Sequence, residues 1–205
     1  MPSGEFSPHL IHSHSPTHLH SLNLTLRRSH PPSFHDPPHH KKSSELTKYK
    51  NKRHLKPGGF LEIQEFHYLP HADDTSLADS TSYRLRDFLS HLAEGLDRLG
   101  IDLHSILRAP EYLAAAGFSP TAHHLLKCPI GSWPKLPRLA YCGDLMRTAF
   151  LEGLGGYARR PLVGGLGWTG VQVEMLLVEV RKDVADENGV HAYIPFHVLY
   201  GQKPF

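Results

Sequence analysis

Between residues 82 and 98 the apolar positions Leu85, Phe88, Leu89, Leu92, Leu96 and Leu99 recur at intervals of three and four, and Gly100 stops the pattern; this spacing predicts an amphipathic helix. Upstream, the turn dipeptide Pro57-Gly58 opens a short run, Phe60 to Phe66, with apolar residues on both faces, which predicts a strand covered on at least one side. Pro110 and Gly117 bracket a short helix with proline near its start and glycine just past its end, and Thr121 to Cys128 follows as a strand. Pro137 to Leu154 reads as a helix of imperfect period, and Gly155-Gly156 and Gly164-Gly165 read as glycine-rich links. Thr169 and Gln172 form a capping box ahead of the stripe Val173, Leu176, Leu177, Val180 and Val184. After the turn at Asp186 to Gly189, His191 to Tyr200 is a β-rich closing strand. The expected fold class is α/β, mixed helices around a thin sheet of about three strands.

Composition divides the chain unevenly. Residues 1–50 hold nine of the 18 histidines and seven of the 17 prolines but one of the 17 glycines. Leu10, Ile11, Leu22, Leu24 and Leu26 are too few to offset the entropy of ordering that stretch. The expectation is a disordered leader over 1–50 and a folded part over 51–205, which at about 150 residues buries roughly 68 to 70% of its unfolded surface. His9, His12, His14, His18 and His20 are dense enough for adventitious zinc or copper binding, but a proline-broken segment lacks the rigid surroundings of a shaped metal site. No metal site is expected.

A net charge of +2 supplies no field that calls for nucleic acid or an anionic membrane. The basic cluster Lys48, Lys50, Lys52, Arg53 and Lys56 is read as a solvated lead-in to the first strand. Cys128 and Cys142 have neither CxxC spacing nor the density of a disulfide framework, so a reducing compartment is the default. No apolar run approaches a membrane span or a signal peptide, and an intracellular location, cytoplasmic or nuclear, is expected.

The segment HLKPGGFLEIQEF resembles the approach to the fifth strand of class I S-adenosylmethionine-dependent methyltransferases. EYLAAAGF, CPIGSWPKLPRL, FLEGLGGYARRPL, GLGWTGVQVEMLLVEVRKD and HAYIPFHVLYGQKP extend the resemblance, from about residue 54 onward, to the C-terminal half of fungal methyltransferases similar to regulators of secondary metabolism. The resemblance implies a truncated Rossmann-like sheet of the fifth, seventh and sixth strands, the seventh antiparallel between the others. It also implies S-adenosylmethionine as cofactor. In that family the cofactor lies on the first half of the sheet, against a glycine-rich loop and an acidic strand end, and residues 1–54 contain nothing of that kind. No cofactor-binding residue is therefore assigned, and the chain is expected to be an N-terminally incomplete methyltransferase, inactive alone. The alternative is a non-catalytic interaction module that docks a protein partner on the sheet edge left open.

Gly165 to Gly170 matches GxGxxG and opens a helix, but no strand precedes it and Trp168 crowds the turn, so a dinucleotide site is rejected in favour of a link and a capped helix. Methyl transfer depends chiefly on positioning the acceptor, sometimes with a base. Gln64, Glu65 and His67, at the end of the first strand, and Trp133, in the turn PIGSWPK, are the candidates for a substrate pocket; the acceptor itself is not specified. Each also has a plainer role, as strand end, loop residue or packing anchor. His67, His71, Asp73 and Asp74 lack a recognised metal-ligand spacing and are read as a solvated polar loop.

Overall fold

Residues 54–78, 81–186 and 189–205 are described in a computed structural model of the chain. The expected leader, its histidines and Lys48 to Arg53 lie outside the described residues. The order of elements is β1 (Phe60–Phe66), α1 (Arg84–Arg98), α2 (Ala109–Ala115), β2 (Ser119–Pro129), α3 (Pro137–Ala158), α4 (Gly170–Ala185) and β3 (Tyr193–Gln202). Short 3-10 turns occupy Thr75–Leu77 and Ser105–Arg108, and a π-helical turn, Arg159–Gly165, continues α3.

The sheet has the order β1-β3-β2, with β3 antiparallel to both neighbours. That is the order and direction expected for the fifth, seventh and sixth strands. Phe60 pairs with Gln202 and Phe66 with Phe196 along one side of β3, while Ser119 pairs with Gln202 and Pro129 with Tyr193 along the other. Gly58, at φ +75°, turns the chain into β1, and its N–H bonds to the Lys203 carbonyl at 2.9 Å. Among the described residues β1 pairs only with β3, so its other edge offers unpaired backbone groups.

Helices cover both faces, as the alternation of strand side chains requires. Phe66 and Ile194 pack with Phe88, Leu89, Phe150, Leu154 and Leu177 in the main core. Leu61, Ile63 and Leu199 point the other way, onto Ile106, Leu113 and Phe118 of the α2 region. The helix expected over 82–98 forms, and its inward residues Leu85, Phe88, Leu89 and Leu92 are buried.

The glycine-rich links are corrected by the structure. Gly155 and Gly156 are helical, and Gly164 and Gly165 lie in the π-helical turn. Leu154, Ala158 and Leu162, at successive intervals of four, are all fully buried at 0% exposure. Burying that stripe outweighs the helix cost of glycine, about 1 kcal/mol each. Pro161 lacks an N–H, and the ladder widens around it: Leu166 N–H bonds to the Pro161 carbonyl at 3.0 Å.

The box at the start of α4 forms as the spacing predicts. Gln172 N–H donates to Thr169 Oγ1 at 3.3 Å, and Thr169 N–H donates to Gln172 Oε1 at 2.9 Å. Thr169→Ala removes the first of these bonds and should lower stability by about 1 kcal/mol, read as a shifted denaturant midpoint at unchanged slope. An unchanged midpoint would show that α4 does not need its cap. Gly165 ends a π-helical turn and no strand precedes it, so the GxGxxG match lacks the strand-turn-helix setting of a dinucleotide site.

Candidate functional site

Because β1 and β2 both run antiparallel to β3, they are parallel to each other and end on the same border of the sheet. Open α/β sheets bind ligands beyond the carboxyl ends of such strands. His71 adds to this border through a bridge to Tyr193, its N–H bonding the Tyr193 carbonyl at 2.9 Å. The PIGSWPK turn leaves β2 at the same end.

The four sequence candidates occupy four different environments. Gln64 lies on one face of β1, where its Nε2 donates to Glu62 Oε1 at 2.6 Å, and Tyr200 donates its hydroxyl to the same oxygen at 3.0 Å. Glu65 lies on the opposite face, accepting the Phe66 N–H at 3.1 Å; loss of solvent raises its carboxyl above the ordinary value, against that hydrogen bond. Trp133 is held away from both. Its Nε1 donates to the Ala192 carbonyl at 3.2 Å and its ring stacks on His191 at 5.2 Å. Among the described residues no hydrogen bond or ring contact joins Trp133 to His67.

His67 sits in a cluster of imidazoles that sequence reasoning did not assemble. Its ring centroid is 5.0 Å from His104, 6.2 Å from His197 and 6.3 Å from His71. His197 stacks on His123 at 5.1 Å, with His197 Nδ1 and His123 Nε2 2.9 Å apart, so one ring must donate and the other accept. His197 is buried at 5% exposure; its Nε2 and the Nδ1 of His104 are buried without a hydrogen-bond partner. Burial first, then the charges of His104, His197 and His71, push His67 down to about 4. Burial and His123 likewise lower His197. At neutral pH these two rings are uncharged. The period of two in β2 and β3 carried a signal for His123 and His197, since each alternates with residues facing the opposite side; His104, from the turn before α2, had none.

The two aspartates of the polar loop find separate partners. Lys127 Nζ reaches both oxygens of Asp73, at 2.7 and 2.6 Å, and Tyr193 donates its hydroxyl to Asp73 at 3.2 Å. The Lys127 hydrogen bond leads in holding Asp73 below the ordinary carboxylate value. Asp74 accepts the Ser76 N–H at 2.9 Å and lies 2.6 Å from His191 Nδ1; Ser76 first and His191 next lower it to about 2. Among the described residues no three His, Cys, Asp or Glu side chains converge as a metal site. Beside Asp73 and Lys127, a cavity of about 240 Å³ is walled by Trp133, Leu136, Leu139 and Tyr193. A second groove, of about 290 Å³, runs between β1 and α2, lined by Leu61, Ile63, Tyr112, Leu113 and Phe118.

Comparison with known proteins places this arrangement. The chain is 35% identical over 156 residues to methyltransferase pytC of Aspergillus terreus, covering 74% of this chain and 46% of that protein. It is 27% identical over 167 residues to the probable methyltransferase tdiE of Emericella nidulans, covering 81% of this chain and 52% of that protein. It is 24% identical over 153 residues to the secondary metabolism regulator laeA of Aspergillus niger, covering 74% and 40% respectively. Over about three quarters of its length the chain is similar to proteins named as methyltransferases. It spans about half the length of the curated relatives it matches. No family model and no solved structure matches it.

Trp133 and Tyr193 give the carboxyl border of the sheet a flat apolar wall, and Lys127 with Asp73 gives it a compact ion pair. Among the described residues no helix is long and apolar enough to cross a membrane.

Proposed function

We propose that residues 54–205 form the acceptor-side part of a methyltransferase-like fold, and that S-adenosylmethionine binds only when a further strand-bearing part pairs with β1. The observation that carries this reading is the open edge of β1. The strand has one hydrogen-bonded neighbour among the described residues, and the apolar groove beside it provides room for a packed element. The partial span of the relatives points the same way. In the completed fold Glu65 and His67, on one face at the carboxyl end of β1, border the methyl acceptor, while Gln64 lies on the other face and Trp133 farther along the border. Their part is orientation of the attacking atom, and Glu65, whose carboxyl is raised, is the nearest of them to a general base.

Calorimetry with S-adenosylmethionine tests the proposal. Residues 1–205 alone should give no binding heat. A mixture with the portion of pytC that this chain does not match should bind with micromolar affinity. Micromolar binding by residues 1–205 alone overturns the proposal.

A second reading rests on the same groove: the β1 edge docks a partner strand with no chemistry attached, as in strand-addition complexes. A complex that forms with the pytC portion but takes up no S-adenosylmethionine favours this reading.

A further inference from the structure

The chain contains two cysteines, and the fold brings them together from different elements. Cys128 lies near the end of β2 and Cys142 in the opening turns of α3, with their sulfur atoms 3.8 Å apart. Their approach follows from the packing of the neighbouring backbone. Gly143, beside Cys142, accepts the Gly131 N–H at 2.9 Å, and a Cβ at position 143 would overlap the Gly131 carbonyl. The lack of a side chain there lets α3 settle directly on the turn that leaves β2.

The two thiols differ in access. Cys142 is exposed and Cys128 is half-buried. Burial, then the neighbouring Cys142, pushes the Cys128 thiol up to about 12. A reagent in solution therefore meets Cys142 first, and Cys128 is placed to attack whatever Cys142 becomes.

We propose that Cys128 and Cys142 are a reversible oxidation site, closing to a disulfide that staples β2 to α3 when the chain meets a small disulfide oxidant such as glutathione disulfide. In the first step the Cys142 thiolate attacks one sulfur of the oxidant, forming a mixed disulfide and expelling one glutathione thiolate. In the second, Cys128 loses its proton and attacks the Cys142 sulfur, forming the intrachain bond and expelling the second glutathione. Two protein thiols give up two electrons and two protons, and the oxidant is reduced to two thiols. Side-chain rotation has to bring the sulfurs from 3.8 Å to the bond length of about 2.05 Å. Since Cys128 must ionise in the second step, closure accelerates as pH rises. The closed loop contains Trp133, Leu136 and Leu139, so oxidation fixes one wall of the carboxyl-border cavity.

The test is to incubate the full chain with glutathione disulfide and follow free thiols, intact mass and melting temperature. The expected result is loss of both thiols together, a mass lower by two hydrogens, and a melting temperature raised by roughly 5–10 °C that reverts on reduction. Cys128→Ser should stop at the glutathione adduct on Cys142, and Cys142→Ser should react far more slowly than the parent. Two thiols still titratable in the folded chain after prolonged incubation would overturn the proposal. So would an adduct on Cys142 of the parent that persists without closure, or disulfide dimers in place of the intrachain bond.

Discussion

Gly95→Ala is expected to be among the most damaging single-methyl changes in this protein, costing at least about 3 kcal/mol and lowering the melting temperature by roughly 10 °C. The reason is an interlock of two glycines. A Cβ on Gly95, inside α1, would overlap the Pro161 carbonyl of the π-helical turn, while a Cβ on Gly165 would overlap the carbonyl of Gly95 itself. The Gly95 backbone fills the space a side chain on Gly165 would need, and the Pro161 backbone fills the space a side chain on Gly95 would need. Both obstacles are main-chain atoms, so no rotamer change relieves the overlap; α1 must move off the turn and leave Phe88 and Leu162 poorly packed. Gly155→Ala is the control, because a Cβ there meets nothing within 4 Å. In mid-helix it should be neutral or stabilising by up to about 1 kcal/mol. Thermal melts of the two variants decide the matter, and equal melting temperatures would refute the interlock.

Acidification should weaken the fold through the imidazole cluster. His67 has an ordinary value of 6.5 and is held at about 4 in the folded chain. Above the ordinary value both folded and unfolded chains carry the neutral ring, and the stabilisation is fully present. As pH falls from 6.5 towards 4 the unfolded chain takes up the proton and the folded chain does not, so stability is lost across that window. For a partly exposed ring, after allowance for solvent screening, the loss is about 2 kcal/mol. The groups around it are His71, His104 and His197, with His123 behind His197, and no carboxylate contributes to the shift of either His67 or His197. Glu65, paired in register with His197, has its carboxylate turned to the Phe66 N–H. His67→Phe keeps a ring in place without the titrating nitrogens, and its denaturant midpoint should depend less on pH than the parent's. Parallel pH profiles for the two proteins would contradict this account.

What the sequence disclosed and what it hid follow one physical division. The α1 stripe, the Thr169 box and the three strands are local patterns, with partners within four residues or on alternate positions, and they lie close to where the spacing puts them. The order β1-β3-β2 came from the family resemblance, since strand periodicity says nothing of which strand lies in the middle. Gly155 and Gly156 misled because glycine propensity was weighed without the buried line of Leu154, Ala158 and Leu162. The border of the candidate site was legible as the end of β1 and the PIGSWPK turn. The imidazole cluster and the cysteine pair were not, because each joins residues from separate elements.

The placement of β3 has a consequence for biosynthesis. Among the described strands it is the last made, yet it holds the middle of the sheet. As the nascent chain leaves the ribosome, β1 emerges and then, more than fifty residues later, β2, and in the finished sheet neither bonds to the other. Both wait for Tyr193–Gln202. Such late, non-local closure makes for slow folding, with two naked strands on display during synthesis. An interruption of translation before residue 193 would release a polypeptide with helices but no sheet, a natural client for chaperones.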